Sequence, residues 1–385
     1  MTGLAISSIT TNIRIGAGGA FSIISQSLGL EAGGSLGIPL YLCQALAVAM
    51  YIFGFREGWK YIFPAHPAFL ADLSAFFLLF LIAAASARLA FRVQYVIMAV
   101  IAISLLSVLV AGLQGSMKYP IRWWGAFPGS PENGFSGIRF WGVFAVFFPA
   151  VTGIMSGLNM SGELKNPRRS IPIGGMSAIA VSSVIYLALA YWLARSATTE
   201  ELVRNYNVLI ERAAWRPAVV AGLVGATFSS ALSSLVGAPR ILYALGEHHI
   251  LPGSEWLARR TKSGEPRNAM LITGAIVLSA LLIRDLNVIA PLITMFFLIT
   301  YAMINVVVLI EQNLGLVSFR PTLRVSRMVP FLGAVGCFYA MFLQNPAFSL
   351  VAVVFVVALY GVLLSRSLKA PFGDVRSGLF GAVAE

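Results

Sequence analysis

Residues 147–162 read FFPAVTGIMSGLNMSG and lie inside an apolar stretch, 140–162, long enough to cross a membrane. A helix there must carry Pro149, Gly153, Gly157 and Gly162, with Thr152, Ser156, Asn159 and Ser161 among them. Proline lacks an amide donor and strands the carbonyl four residues earlier, here that of Ala145. Unpaired backbone groups are costly in hydrocarbon, so irregular backbone persists at membrane depth only where protein buries it or it lines a polar cavity. Broken helices in secondary transporters use this property. Half-helix amides face anions, and freed carbonyls and hydroxyls face cations. The carbonyl that Pro149 frees and the Thr152 hydroxyl could therefore face a cation, and the amides of Gly153, Ile154 and Met155 an anion beside it. The competing reading is a kinked packing helix, because small residues four apart also serve close helix contacts.

The rest of the chain supplies the membrane. Its 385 residues are 58% hydrophobic and only 11% charged, with mean hydropathy +0.84, whereas soluble domains carry about 25% charged residues. The apolar residues come in blocks that predict spans at 35–55, 68–87, 92–113, 140–162, 172–195, 217–245, 268–284, 288–311, 328–344 and 346–365. The first residues, MTGLAISSITTN, lack the basic and long apolar regions of a signal peptide. They would reach only about 18 Å as a helix against roughly 30 Å of hydrocarbon, and read as the end of a helix whose beginning is absent. Residues 17–33 predict a short interfacial helix. Residues 1–369 then form one transmembrane domain, and 370–385 a stub of a cytoplasmic region.

The net charge of +12 does not point to nucleic acid. One set of alternate loops, including 163–171, 240–267 and the tail from Arg366, holds 17 of the 27 Lys and Arg; the other, including 114–139 and 195–216, holds 10. The richer set is cytoplasmic, and the C-terminus with it. Cys43 and Cys337 sit in separate apolar blocks, which supports neither a disulfide framework nor a metal site. The three histidines, His66, His248 and His249, are in loops, and HExxH and P-loop motifs do not occur. An enzyme, a cofactor and a nucleotide-driven pump are thus not expected; a secondary transporter or channel in the lipid bilayer is.

The stretch FFPAVTGIMSGLNMSGELKNPRRSIPIG closely resembles the sixth-helix signature of the cation-chloride cotransporters, within the amino acid-polyamine-cation superfamily. GGAFSIISQSLGLEAGGSLG, AVAMYIFGF, ATFSSALSSLVGAPRILYAL and LNVIAPLITMFFLITYAMIN are similar to further segments of that family, over nearly all of 1–385. The resemblance implies an all-α polytopic membrane protein with a leucine-transporter-like inverted-repeat fold, here lacking the first transmembrane helix. The initial partial helix is then the second, and the full spans are the third to twelfth. It implies symport of chloride with potassium and sodium by alternating access, in a cell-membrane protein with a homodimer as the candidate assembly. It implies a potassium site from Tyr51, the Pro149 carbonyl and Thr152, and a chloride site from Gly153, Ile154, Met155 and Tyr301. A sodium site would use the Ala226 carbonyl and the hydroxyls of Ser229 and Ser230. A second chloride site belongs mostly to the family's first helix, so 1–385 alone is expected to insert without coupled transport. The short loops suggest a prokaryotic member.

Each assignment has a plainer rival. Tyr51 and Tyr301 also suit ordinary bundle aromatics, and Ser229, Ser230, Ser233 and Ser234 suit helix–helix hydrogen bonding. Glu163 with Lys165, Arg168 and Arg169 reads as a cytoplasmic helix end, or as a gating ion pair. At the level of function the rivals are an amino-acid permease of the same superfamily and a non-transporting membrane fragment.

Overall fold

A computed structural model describes the chain except residues 13–17, 122, 124–128, 131–134, 137–139, 262–263, 284–285, 314–319, 367 and 369–385. The predicted tail 370–385 and the loop residues Arg14, Arg122, Arg139, Lys262, Arg284, Lys369 and Arg376 lie outside the described residues. The described part is helical, apart from a two-residue antiparallel pairing of Gly129–Ser130 with Phe135–Ser136. The first helices are α1 (Thr2–Asn12), α2 (Ala20–Leu28), α3 (Leu30–Ile62), α4 (Ala68–Ala85), α5 (Ala87–Ala111), α6 (Phe140–Phe147) and α7 (Ile154–Asn159). There follow α8 (Pro167–Ser196), α9 (Thr199–Arg204), α10 (Val208–Glu211), α11 (Arg216–Glu247), α12 (Ser254–Leu257), α13 (Arg267–Ile283), α14 (Leu286–Asn313), α15 (Met328–Gln344) and α16 (Pro346–Leu364).

Seven of these are long and apolar enough to cross a membrane: α3, α4, α8, α11, α16, the stretch Leu89–Ser116 that begins in α5, and Ile293–Asn313 of α14. Two more predicted spans, α13 and α15, are apolar helices of 17 residues each. The tenth, 140–162, is broken, as its proline and glycines require. Predicted ends fall short where polar residues continue a helix: α3 runs from Leu30 to Ile62 rather than over 35–55. The helix expected over 17–33 is α2, which stops at Gly29, where φ is 92°, and residues from Leu30 on belong to α3. With Phe21, Ile23 and Ile24 buried, α2 is a core element and not an interfacial one.

The chain divides into two compact units. The first comprises residues 1–47, 145–179 and 234–385. Its centre is α14, which is apolar all round and so must be enclosed; Ile293, Phe297, Ile304, Val307 and Val308 are all buried. Helices α1, α2, α15 and α16 pack against α14. Two close approaches depend on glycine. A side chain at Gly33 would overlap Ser25 of α2, and one at Gly333 of α15 would overlap the Asn305 amide of α14. Asn305 Nδ2 in turn donates to Thr2 Oγ1 at 2.8 Å and to the Tyr301 carbonyl at 2.7 Å, tying α1 to α14.

The second unit comprises 48–144 and 180–233. In it Arg56 of α3 pairs at 3.1 Å with the buried Asp72 of α4. Gly222 of α11 lies against Ser104 of α5, and Gly54 and Gly58 of α3 face Thr227 and Val224 of α11. Val108, Ala111, Trp192, Ile210, Val219 and Val220 close its apolar core.

Several helices turn large apolar side chains outward. Leu187 of α8 is 72% exposed and Val96 of α5 is 67% exposed, and none of the apolar window of α8 is buried. Water penalises such continuous apolar faces, and lipid does not.

The Gly33 contact makes a stability test. Gly33→Ala should lower the stability of the purified protein in detergent by about 1–3 kcal/mol, the usual cost of overpacking. Gly336→Ala, where no atom lies within 4 Å of the new Cβ, should stay within about 0.5 kcal/mol. Thermal unfolding of both variants checks the contrast.

Candidate functional site

The broken span is assembled from four short pieces. Helix α6 ends at Phe147, a 3₁₀ turn takes Phe148–Val151, α7 follows from Ile154, and a second 3₁₀ turn covers Ser161–Glu163. Pro149 falls in the first 3₁₀ turn, where its missing amide ends the α-helical ladder. Thr152 is 3% exposed, and Gly153 caps α7 with φ −59° and ψ −16°.

The Tyr301 hydroxyl of α14 donates to the Thr152 carbonyl at 2.9 Å. The Met155 amide reaches the same carbonyl at 3.4 Å, and the Ser156 amide donates to the Gly153 carbonyl at 3.0 Å. Tyr301 is buried, with its ring 6.3 Å from that of Phe148 and 5.9 Å from that of Phe297. The structure therefore brings Thr152, Met155 and Tyr301 together and joins two of them directly. Sequence had assigned Thr152 and Tyr301 to different ions, with no sign that they touch. Gly153 and Gly157 do not serve a tight helix contact: no described atom lies within 4 Å of a Cβ built on either. That face of the break is open, unlike the glycine contacts at Gly33 and Gly333.

The remaining expected ligands are in the second unit. Tyr51 lies on α3, and Ala226, Ser229 and Ser230 lie on α11. Gly54 faces Thr227 and Gly58 faces Val224, so the two helices run in opposite directions here, and this register sets Tyr51 at the level of Ser230. Ser229 and Ser230 are half-buried, and their hydroxyls make no hydrogen bond among the described residues. Ser233, in contrast, accepts from Gln94 Nε2 at 3.1 Å. The serine row thus divides: Ser233 holds two helices together, and the other two hydroxyls remain available.

One residue of the opening stretch was not singled out as a ligand. Asn159, at the end of α7, is 1% exposed, and both its Oδ1 and its Nδ2 are without a hydrogen-bond partner. Nearby, Arg240 of α11 is buried and pairs with Glu265 at 2.9 Å. An asparagine in an apolar span flanked by Gly157 and Gly162 was the available signal. The arginine was counted only as a topology marker.

The fold and the broken span define a polytopic helical membrane protein of transporter type. The chain belongs to the amino acid permease family, whose profile matches residues 1–382. It is similar to solute carrier family 12 member 2 of Squalus acanthias, at 32% identity over 94% of this chain and 35% of that protein. It is similar to member 9 of Danio rerio, at 31% identity over 98% of this chain and 47% of that protein. Member 1 of Mus musculus matches at 30% identity over 90% of this chain and 36% of its own length. These are cation-chloride cotransporter homologues, in agreement with the resemblance carried by the sixth-helix motif. The chain spans about a third to a half of the length of these relatives.

Removing the Tyr301 hydroxyl takes from the Thr152 carbonyl its 2.9 Å hydrogen bond, which is shorter than the 3.4 Å bond from the Met155 amide. Tyr301→Phe should therefore lower thermal stability by about 0.5–1.5 kcal/mol. Tyr360→Phe, on the exposed side of α16, should not. Unfolding curves in detergent without chloride check both.

Proposed function

We propose that the protein carries chloride into symport with potassium and sodium, with the ions at the break of the sixth span. The observation that carries this reading is the Tyr301 hydroxyl on the Thr152 carbonyl, at a helix break with an open glycine face. The similarity to solute carrier family 12 members supports ion cotransport over amino-acid uptake.

The phenol has one proton to give. Donated to Thr152, it ties up a carbonyl lone pair; donated to an anion near Gly153, Ile154 and Met155, it releases that carbonyl toward a cation. Chloride arrival at Tyr301 would thus improve the potassium site at Pro149 and Thr152. An anion beside a cation also lowers the electrostatic cost of each in a low-dielectric setting. Tyr51 keeps the potassium role that the resemblance implies. The Ala226 carbonyl and the Ser229 and Ser230 hydroxyls suit sodium, a hard cation that takes oxygen ligands. The basic-loop count favours a cytoplasmic C-terminus, in a single transporter domain over 1–369.

Chloride-dependent rubidium uptake tests the ion assignments. Thr152→Ala should weaken potassium dependence more than chloride dependence, and Tyr301→Phe the reverse, each by about 1–3 kcal/mol, as expected for a lost charge-assisted hydrogen bond. Ser229→Ala with Ser230→Ala should raise the sodium requirement severalfold. Unchanged ion dependence in all of these variants counts against the sites. Full-rate uptake of an amino acid without chloride would favour the permease reading.

Orientation has its own test. The expected inner position Ser263 lies outside the described residues, but Ser170 on α8 and Tyr206 between α9 and α10 are exposed. Cysteines placed there should react with an impermeant reagent from opposite sides, Tyr206 from outside. Labelling of both from one side would overturn the scheme.

A further inference from the structure

At the C-terminal end of the broken span the first unit contains a cavity of about 160 Å³ lined by Asn159, Arg240, Tyr243 and Arg260, with Gly162, Gly264 and Pro266. We propose that this cavity binds a small monovalent anion, held by Arg260 and Asn159. The proposal concerns binding alone and stands apart from the ion sites at Thr152 and Tyr301.

Charge is the first argument. Arg240 is neutralised: one guanidinium nitrogen meets Glu265 at 2.9 Å and another donates to the Val236 carbonyl at 2.6 Å. Arg260 has no carboxylate within ion-pair distance among the described residues. Its guanidinium lies over the Tyr243 ring, 4.2 Å from the centroid. Glu247 accepts the Tyr243 hydroxyl at 3.3 Å. Among the described residues, Arg260 is the lining cation without an ion-pair partner, and its side chain is held by an aromatic face.

Hydrogen bonding is the second, independent argument. Asn159 is 1% exposed and its side-chain amide has no partner. Buried amides left unpaired are rare and destabilising, and each calls for a ligand, an ion or a water. Gly19, with φ 56°, and Gly237 flank the Asn159 side chain, and a Cβ on Gly19 would collide with Oδ1. The amide is thus held where it is by backbone on two sides. A water could satisfy Nδ2 alone; a small anion could meet Nδ2 and also the exposed Arg260 guanidinium.

Size is the third. The space, about 160 Å³, lies below the ~300 Å³ where pockets for larger organic ligands begin. A halide with part of its hydration shell fits; a nucleotide or lipid headgroup with its glycerol does not.

Chloride NMR of the purified protein tests this, with gluconate replacing chloride at constant ionic strength and the excess line width as readout. Chloride should broaden reversibly, and bromide should displace it. Arg260→Gln should weaken the broadening component about tenfold or more, the loss expected for a charge-assisted contact, and Arg260→Lys should keep most of it. Asn159→Ala should weaken the same component severalfold. Arg260 is exposed, so its variants should unfold at the wild-type temperature without chloride, which separates lost binding from lost folding. Tyr301→Phe should leave the Arg260-dependent component in place. Loss of that component in Tyr301→Phe would merge the two sites and overturn the proposal. Broadening unchanged in both Arg260→Gln and Asn159→Ala would show that the cavity holds water only.

Discussion

A carbonyl released from its helix inside a membrane must find a donor in the protein, and the carbonyl of Thr152 finds it in Tyr301. Much of the first unit depends on that bond. Tyr301 can point at Thr152 because Phe148 and Phe297 flank its ring and α14 is enclosed around it. One turn on, Asn305 takes the Tyr301 carbonyl and Thr2, so a polar thread runs from the break through α14 to α1. The thread also explains Gly333, since any side chain there would displace the Asn305 amide. Removing one member leaves the next unsatisfied in an apolar medium, which is why such networks matter more than a single bond suggests.

The spans were legible because hydropathy reports what lipid tolerates, and long blocks such as 346–365 leave little alternative. The break was legible because Pro149 has no amide to give. The ends were not. Hydropathy windows stop where charge begins, but helices do not, so α3 continues through Arg56 and Lys60 to Ile62. The segment at 17–33 was misjudged for a related reason. Moderate apolarity in nine residues is compatible with an interface or with a core, and only the neighbours of Phe21, Ile23 and Ile24 decide.

The candidate ligands show the same division. Sequence pointed to Thr152 and Tyr301 through a motif, which names residues but carries no distance between them. Their direct bond changes the chemistry, because the phenolic proton is given to a carbonyl of the break. The glycines were ambiguous in the opposite way. Gly153 and Gly157 have the spacing of a helix-contact motif, as do many pairs in membrane helices. Spacing cannot report whether a neighbour is present, and beside these two none is found among the described residues.

Charge was the least legible property of all. Counting Lys and Arg by loop treats every cation as a topology marker, which is adequate for orientation because the rule concerns totals. It hides differences between individual side chains. Arg240 is buried within α11 and would be prohibitive there without Glu265. Arg260 is stacked on Tyr243, with no acid within ion-pair distance among the described residues. Glu265 meets Arg240 instead. The loop 248–266 holds three acids or amides, Glu255, Glu265 and Asn268 just beyond, and Asn268 is turned to the Trp256 carbonyl. Among the described residues no carboxylate lies within ion-pair distance of the exposed Arg260 guanidinium, which leaves it free to meet the small anion proposed above.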